Sequence, residues 1–317
     1  MKIRFLDAYT TNPGDLSFDA FHSIGDFIAY ERTELHEVSD RAGDADIIVV
    51  NKFPVNEESL RLMPKVKYIC VAATGYNNID LSSTKIRNIQ VSNVSGYSSP
   101  SVAQHVFASL LAYANRTEYY ASEVRKGRWA KTADFCFYDH KIEELYGKTF
   151  GIVGYGNIGK QVASIALAFG MKVIVHSRTE IFPLQEGIKM IEKEELFRQA
   201  DFISLHCPLT SSTKEIVNQE TLKWMKTNAV LINTGRGALV NEKDLLQALN
   251  GNIIRCAILD VLQVEPPSVN HPLVNHPKCM ITPHIAWASK ESRQRLLNGV
   301  AENINSWLHG HWVNRVE

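Results

Sequence analysis

Residues 149–159 read TFGIVGYGNIG, an apolar run that passes through three spaced glycines straight into IGKQVASIALAFG, whose apolar residues fall at helical spacing. Strand, glycine turn and helix in that order describe a dinucleotide-binding turn. Gly154 permits the tight turn, Gly156 lets main-chain amides approach a pyrophosphate, and Gly159 lets helix and strand pack closely. Asn157 and Ile158 would then offer their amides at the positive end of the helix dipole. Glycine-rich turns also join strands to helices for purely steric reasons, so the surrounding order of elements decides between the two readings.

Downstream, the apolar runs KVIVHS, DFISLHC, AVLINTG, CAILDVL and CMITPH follow at βα spacing, and with TFGIVGYG they complete a doubly wound sheet. Upstream, IRFLDA, DIIVV, YICVAA and IQVSNV alternate with helical stretches, which is a second α/β pattern. Between the two sets, SVAQHVFASLLAYANRTEYYASEVRKG follows Ser99-Pro100 and stops at Lys126-Gly127, predicting one long connecting helix. The tail from Ser289 to about Leu308 is also helical in pattern; if it crosses back to the first domain, the second is an insertion with two connections as hinge. The expected fold is therefore α/β with two Rossmann-like doubly wound domains. A dinucleotide-binding domain, 100–288, is inserted into a smaller flavodoxin-like substrate domain, 1–99 plus 289–317.

A chain of 317 residues with 45% apolar content suffices for two such cores. Its 34 basic and 34 acidic residues balance, so there is no overall field to draw it onto nucleic acid or an anionic membrane, and a small-molecule substrate is expected. The N-terminus MKIRFLDAYT lacks the layout of an export signal, and no stretch reaches the roughly 18 uninterrupted apolar residues of a membrane span. A cytoplasmic protein is expected. The five cysteines, Cys70, Cys136, Cys207, Cys256 and Cys279, are widely spaced with no C-x-x-C pair, so buried thiols are expected rather than disulfides or a zinc site. His271, His276 and His284 lack a supporting Cys or carboxylate spacing, and no metal is expected.

The second strand of the nucleotide sheet ends in Ser177-Arg178-Thr179, about twenty residues past the turn, where an acidic residue would hold the adenosine ribose of NAD. With no carboxylate there to repel a 2′-phosphate and Arg178 able to pair with one, the cofactor is NAD or NADP with a lean to NADP; Glu180 is adjacent, and Arg178 can also stack on adenine. Three side chains capable of chemistry follow successive strands. Arg236 lies in INTGRGALV, Glu265 after CAILDVLQ, and His284 after ITP, all beyond the strand ends where open α/β sheets bind ligands. A guanidinium can hold the carboxylate of a 2-oxo acid and polarise its carbonyl, an imidazolium can donate a proton, and a neighbouring carboxylate can stabilise that imidazolium. Singly, each could be a turn cap or a solvated side chain; three on consecutive strand ends point to catalysis.

The residues at this point resemble the D-isomer-specific 2-hydroxyacid dehydrogenases over essentially the whole length, and most closely the glycerate dehydrogenase or hydroxypyruvate reductase branch. The matching stretches are ATGYNNID (73–80), VSGYSSPSVAQH (94–105), ELYGKTFGIVGYGNIG (144–159), HCPLT (206–210), LINTGRGALVNE (231–242), AILDV (257–261) and TPHIAWAS (282–289). The resemblance implies Arg236, Glu265 and His284 as the catalytic set. It implies substrate-carboxylate binding by amides at Thr74-Gly75, and Trp287 bounding the pocket or packing in a dimer. It also implies that Asp260 meets the nicotinamide carboxamide, and that Cys207-Pro208, Thr213 and Thr234 line the cofactor. Trp287 and GRWAKTADFCFYDH (127–140) are similar to the glycerate dehydrogenase branch in particular, while Ala73 and Ser177 depart from the commonest pattern. Reduction of hydroxypyruvate to D-glycerate is the implied activity, with glyoxylate as a further substrate, in a homodimer joined through the nucleotide domain and the arm around residues 100–145. The alternatives are a 3-phosphoglycerate-type dehydrogenase, a formate dehydrogenase, against which Glu265 argues, and an NAD(H)-sensing corepressor-like binding protein that keeps the same triad.

Overall fold

Short runs of Val, Ile, Leu and Phe form parallel strands buried on both faces, as sheets covered by helices on either side require. The structure is a computed structural model and describes residues 1–179 and 183–316. The chain divides into two compact units, Met1–Ser98 with the chain from Trp287 onward, and Ser99–Ala286.

The first unit holds five strands, β1 (Lys2–Phe5), β2 (Asp26–Ala29), β3 (Ile47–Val50), β4 (Tyr68–Val71) and β5 (Gln90–Asn93). They lie in the order β2-β1-β3-β4-β5 and every pair is parallel, the flavodoxin-like arrangement. The period of two sends Ile48, Val50, Ile69 and Val71 to one core, and Ile47, Val49, Tyr68 and Cys70 to the other. Against the second core packs the helix Lys290–Leu308, through Leu296, Leu297, Val300 and Ile304. It is capped by Ser289, whose side chain accepts from Ser292 N at 3.2 Å. The segment beyond it bonds to β5, Asn93 N to Asn314 O at 3.1 Å and Val316 N to Val91 O at 3.0 Å. Trp287, placed by sequence with the second domain, packs with the first, its ring edge-on to Tyr97.

The second unit holds β6 (Thr149–Val153), β7 (Lys172–His176), β8 (Ile188–Met190), β9 (Phe202–Leu205), β10 (Val230–Asn233), β11 (Cys256–Leu259) and β12 (Cys279–Ile281). The order β12-β11-β10-β9-β6-β7-β8, again all parallel, is doubly wound, and the winding reverses between β6 and β9. The sequence reading omitted β2 and β8. Both are short edge strands carrying a charged residue, Asp26 at the start of β2 and Lys189 in the middle of β8, so neither presents a long apolar run. The expected single connecting helix is two, Ser99–Asn115 and Thr117–Arg125, separated by Arg116 in the left-handed region at φ 53°. The first of these packs Val106, Phe107 and Leu110 with Val162, Ala163 and Ala166 of the helix Asn157–Ala168.

Among the described residues no helix is long and apolar enough to cross a membrane. Cys70 and Cys256 are buried and Cys207 and Cys279 half-buried, but Cys136, which lies outside every strand and helix, is exposed, against the expectation of five buried thiols.

Candidate active site

The turn after β6 gives each glycine a distinct steric reason. Gly154 has φ +99°, and a Cβ there would lie 2.4 Å from Cys207 N, so the turn both needs the left-handed region and abuts the end of β9. A Cβ on Gly159 would lie 2.2 Å from Gly154 O, which closes the helix onto the turn. Gly156 differs: nothing lies within 4 Å of its Cβ position, so only its absent side chain keeps that space open above the helix N-terminus. Beyond β10, Thr234 Oγ1 is buried without a hydrogen-bond partner among the described residues, a state that costs roughly 1–3 kcal/mol unless a ligand completes it. Open space over helix amides and an unpaired hydroxyl across the switch point fit a dinucleotide.

The other residues expected to line that ligand lie on the same edge. Cys207 and Pro208 follow β9, and burial pushes the Cys207 thiol up to about 11, which leaves it inert as a nucleophile. Thr213 Oγ1 donates to Pro208 O at 2.6 Å and accepts from Thr210 N at 2.8 Å, closing the turn 208–213. Past β7, Ser177 is half-buried and Arg178 exposed, while Glu180 lies outside the described residues.

Arg236, Glu265 and His284 follow β10, β11 and β12, which are adjacent in the sheet, so parallel register delivers all three to one edge. Arg236 is half-buried and donates to Gly235 O at 2.8 Å. Its loop is shaped by Asn233, which is buried; the Asn233 side chain accepts from Gly235 N at 3.0 Å and donates to Arg236 O at 2.9 Å. Glu265 and His284, 19 residues apart in sequence, meet directly: Glu265 Oε2 lies 2.6 Å from His284 Nδ1. The other carboxylate oxygen of Glu265 accepts from Leu262 N at 2.9 Å.

His284 sits in the left-handed region at φ 56°, which costs a non-glycine residue about 1–2 kcal/mol. Asp260, buried at the end of β11, offsets that cost. Its main-chain oxygen accepts from His284 N at 2.8 Å, and its carboxylate accepts from Ile285 N at 2.9 Å, Ala286 N at 2.8 Å and Thr282 Oγ1 at 2.6 Å. His105, from the helix Ser99–Asn115, lies 3.1 Å from Thr282 Oγ1 and 3.6 Å from Asp260. Sequence reasoning assigned Asp260 to the cofactor and passed over Asn233, Thr282 and His105. Asn before Thr-Gly was a readable turn signal; the Thr282 and His105 contacts, made across long sequence separations, left none.

In the first unit, Thr74 and Gly75 follow β4 at the carboxyl edge of that sheet. Thr74 Oγ1 donates to Val94 O at 3.2 Å and Thr74 O accepts from Asn93 Nδ2 at 2.7 Å, fixing the loop.

Comparison with known proteins places the chain in a family. The family model described as "D-isomer specific 2-hydroxyacid dehydrogenase, NAD binding domain" matches residues 107–286. A hydroxypyruvate reductase of Blautia hydrogenotrophica is 41% identical over 320 aligned residues, covering 100% of this chain and 99% of that protein. A glycerate dehydrogenase of Methylorubrum extorquens is 38% identical, covering 100% and 99%. Among solved structures, an acyclic imino acid reductase in complex with NADPH and D-Arg is 34% identical with a TM-score of 0.86, covering 100% of both chains. By fold, motif and similarity over its whole length, the chain belongs to the D-isomer specific 2-hydroxyacid dehydrogenases.

Proposed function

We propose that this dehydrogenase reduces hydroxypyruvate to D-glycerate, with glyoxylate as a slower substrate, and uses NADPH in preference to NADH. The observation that carries the chemistry is the 2.6 Å contact of His284 with Glu265, one strand end away from the Arg236 loop. Whole-length similarity to proteins named for hydroxypyruvate and glycerate supports the substrate.

Arg236 binds the carboxylate of the 2-oxo acid and polarises its carbonyl. Glu265 accepts a hydrogen bond from Nδ1–H of His284, fixes the ring and stabilises its cationic form. With Nδ1 so engaged, Nε2 is the atom that gives a proton to the carbonyl oxygen as the alcohol forms. The reduced nicotinamide, when bound, supplies the hydride to C2. The amides of Asn157 and Ile158 hold the pyrophosphate above Gly156, with Gly154 and Gly159 shaping the turn. Thr234, Cys207, Pro208 and Thr213 line the cofactor, and Ser177 and Arg178 receive a 2′-phosphate. Asp260 first holds the segment carrying His284, and a carboxamide contact would add to the bonds it already accepts. From the first unit, the main-chain amides of Thr74 and Gly75 are assigned to the substrate carboxylate, and Trp287 to the pocket wall.

We place the protein in the cytoplasm, acting on a small molecule without nucleic acid or membrane, as a homodimer. The dimer is supported by exposed aromatic side chains gathered in one stretch of the sequence, Trp129, Phe135, Tyr138 and Tyr146. Purified protein given NADH or NADPH with a panel of 2-oxo acids should turn over hydroxypyruvate fastest with NADPH. No oxidation of either cofactor with any acid would overturn the enzymatic reading and favour a cofactor-sensing binding protein.

A further inference from the structure

The stretch 231–242 carries Arg236 near its middle but ends in Glu242, a carboxylate for which the proposed chemistry has no role. Glu242 is the first residue of the helix Glu242–Asn250, capped by Asn241, whose side chain accepts from Lys243 N and Asp244 N. An acid in a first helical turn is unremarked when it faces solvent. Here the side chain is only 18% exposed and turns toward the loop that carries Glu265. Its Oε1 accepts from Gln263 N at 2.7 Å, and its Oε2 lies 3.2 Å from His271 Nε2.

Two further contacts press the same segments together. Gln263 Nε2 donates to Val240 O at 2.8 Å, and Gly237 lies so near Leu262 that a Cβ there would stand 2.0 Å from its carbonyl carbon and oxygen. Residues 237–242 therefore form the bed on which 262–265 lie. Leu262 N, next to the amide that Glu242 accepts from, donates to one oxygen of Glu265, and the other oxygen of Glu265 meets His284.

We propose that Glu242 is a positioning residue for the proton transfer: by fixing the main chain at Gln263, it sets the Glu265 carboxylate at hydrogen-bonding distance from His284. The inference rests on the roles given above to Glu265 and His284, and it extends the functional part of the 231–242 stretch from Arg236 to its last residue. Because Glu242 touches neither proposed ligand site, its loss should slow the chemical step without weakening binding.

The test compares Glu242→Ala, Glu242→Gln and wild type for kcat and KM with hydroxypyruvate and NADPH, for NADPH Kd, and for Tm. Displacing a reacting group by an ångström costs on the order of a hundredfold in rate, so Glu242→Ala should lower kcat about ten- to a hundredfold. NADPH Kd and hydroxypyruvate KM should stay within about twofold, and Glu242→Gln, which keeps an oxygen acceptor for Gln263 N–H, should recover most of kcat. If Glu242→Ala does not fold, Glu242→Asp keeps the charge at the helix start but shortens the reach. A fall in its kcat at unchanged Kd supports the proposal, and wild-type kcat overturns it. The proposal also fails if Glu242→Ala turns over as wild type does, if Glu242→Gln is as slow as Glu242→Ala, or if kcat and Kd worsen together. A His284→Ala variant run alongside separates the two levels. Should it keep full turnover, the underlying roles fail; should it be inactive while Glu242→Ala is not slowed, this inference alone falls.

Discussion

Replacing Gly156 by alanine separates cofactor binding from folding, because the structure gives the added methyl nothing to strike. Gly156 has φ −87° and ψ −159°, extended backbone that alanine adopts without strain, and no atom lies within 4 Å of the Cβ position. Two effects on stability oppose each other. Fewer conformations in the unfolded chain stabilise by about 0.4–1 kcal/mol, while Gly156 is the N-cap of Asn157–Ala168, where alanine is worse than glycine by about half a kcal/mol. The balance is near zero, so Tm should move by less than about 2 °C for a unit of this size. The methyl would occupy the space over the helix amides assigned to the pyrophosphate. Losing one charge-assisted hydrogen bond there, roughly 1.5–3 kcal/mol, raises NADPH Kd about ten- to a hundredfold. Titration calorimetry and thermal unfolding on the same sample read both quantities. Gly159→Ala is the contrast: its Cβ would lie 2.2 Å from Gly154 O, and Tm should fall by several degrees before any ligand is added. Wild-type NADPH affinity in Gly156→Ala, or a Tm loss matching Gly159→Ala, would refute the distinct roles given to these glycines.

Arg178→Ala should raise the KM for NADPH at least about tenfold and leave that for NADH nearly unchanged, since a 2′-phosphate loses its partner; equal use of both cofactors before and after would discard the assignment. In the first unit, the Arg293 guanidinium grips both carboxylate oxygens of Asp15 at 2.7 Å and holds that carboxyl below the usual range. A lowered folded pKa adds stability that is present above the unfolded value and lost as pH falls through the folded one. Asp15→Asn should therefore unfold at lower Tm than wild type near neutrality, the gap closing as pH falls below the ordinary aspartate value of about 3.9; a gap that persists in acid would show that Asp15 acts by packing.

Much of the nucleotide unit was legible because its central strands are mostly apolar and its glycines sit where a strand meets a helix. A tightly buried parallel sheet writes both signals into local sequence. The edge strands Asp26–Ala29 and Ile188–Met190 were not, since they are short and partial burial lets a charged residue stand in each. The break at Arg116 carries no glycine or proline to announce it. At the site, the residue types at the strand ends could be read, and the adjacency of those strands followed from topology. What could not be read is contact across long separations: Glu265 reaching His284, His105 reaching Thr282, Glu242 reaching Gln263. Such pairs depend on how loops lie against one another, and neither periodicity nor spacing encodes that.

We propose that His284, held by Glu265, gives the proton as hydroxypyruvate is reduced. It is tested most directly by measuring NADPH oxidation and D-glycerate formation for wild type and His284→Ala side by side, with NADPH Kd determined for each. Wild type should form D-glycerate, and the variant should bind NADPH as tightly but be slowed by about a hundred- to ten-thousandfold. Undiminished turnover in His284→Ala, or no D-glycerate from wild type, would contradict it.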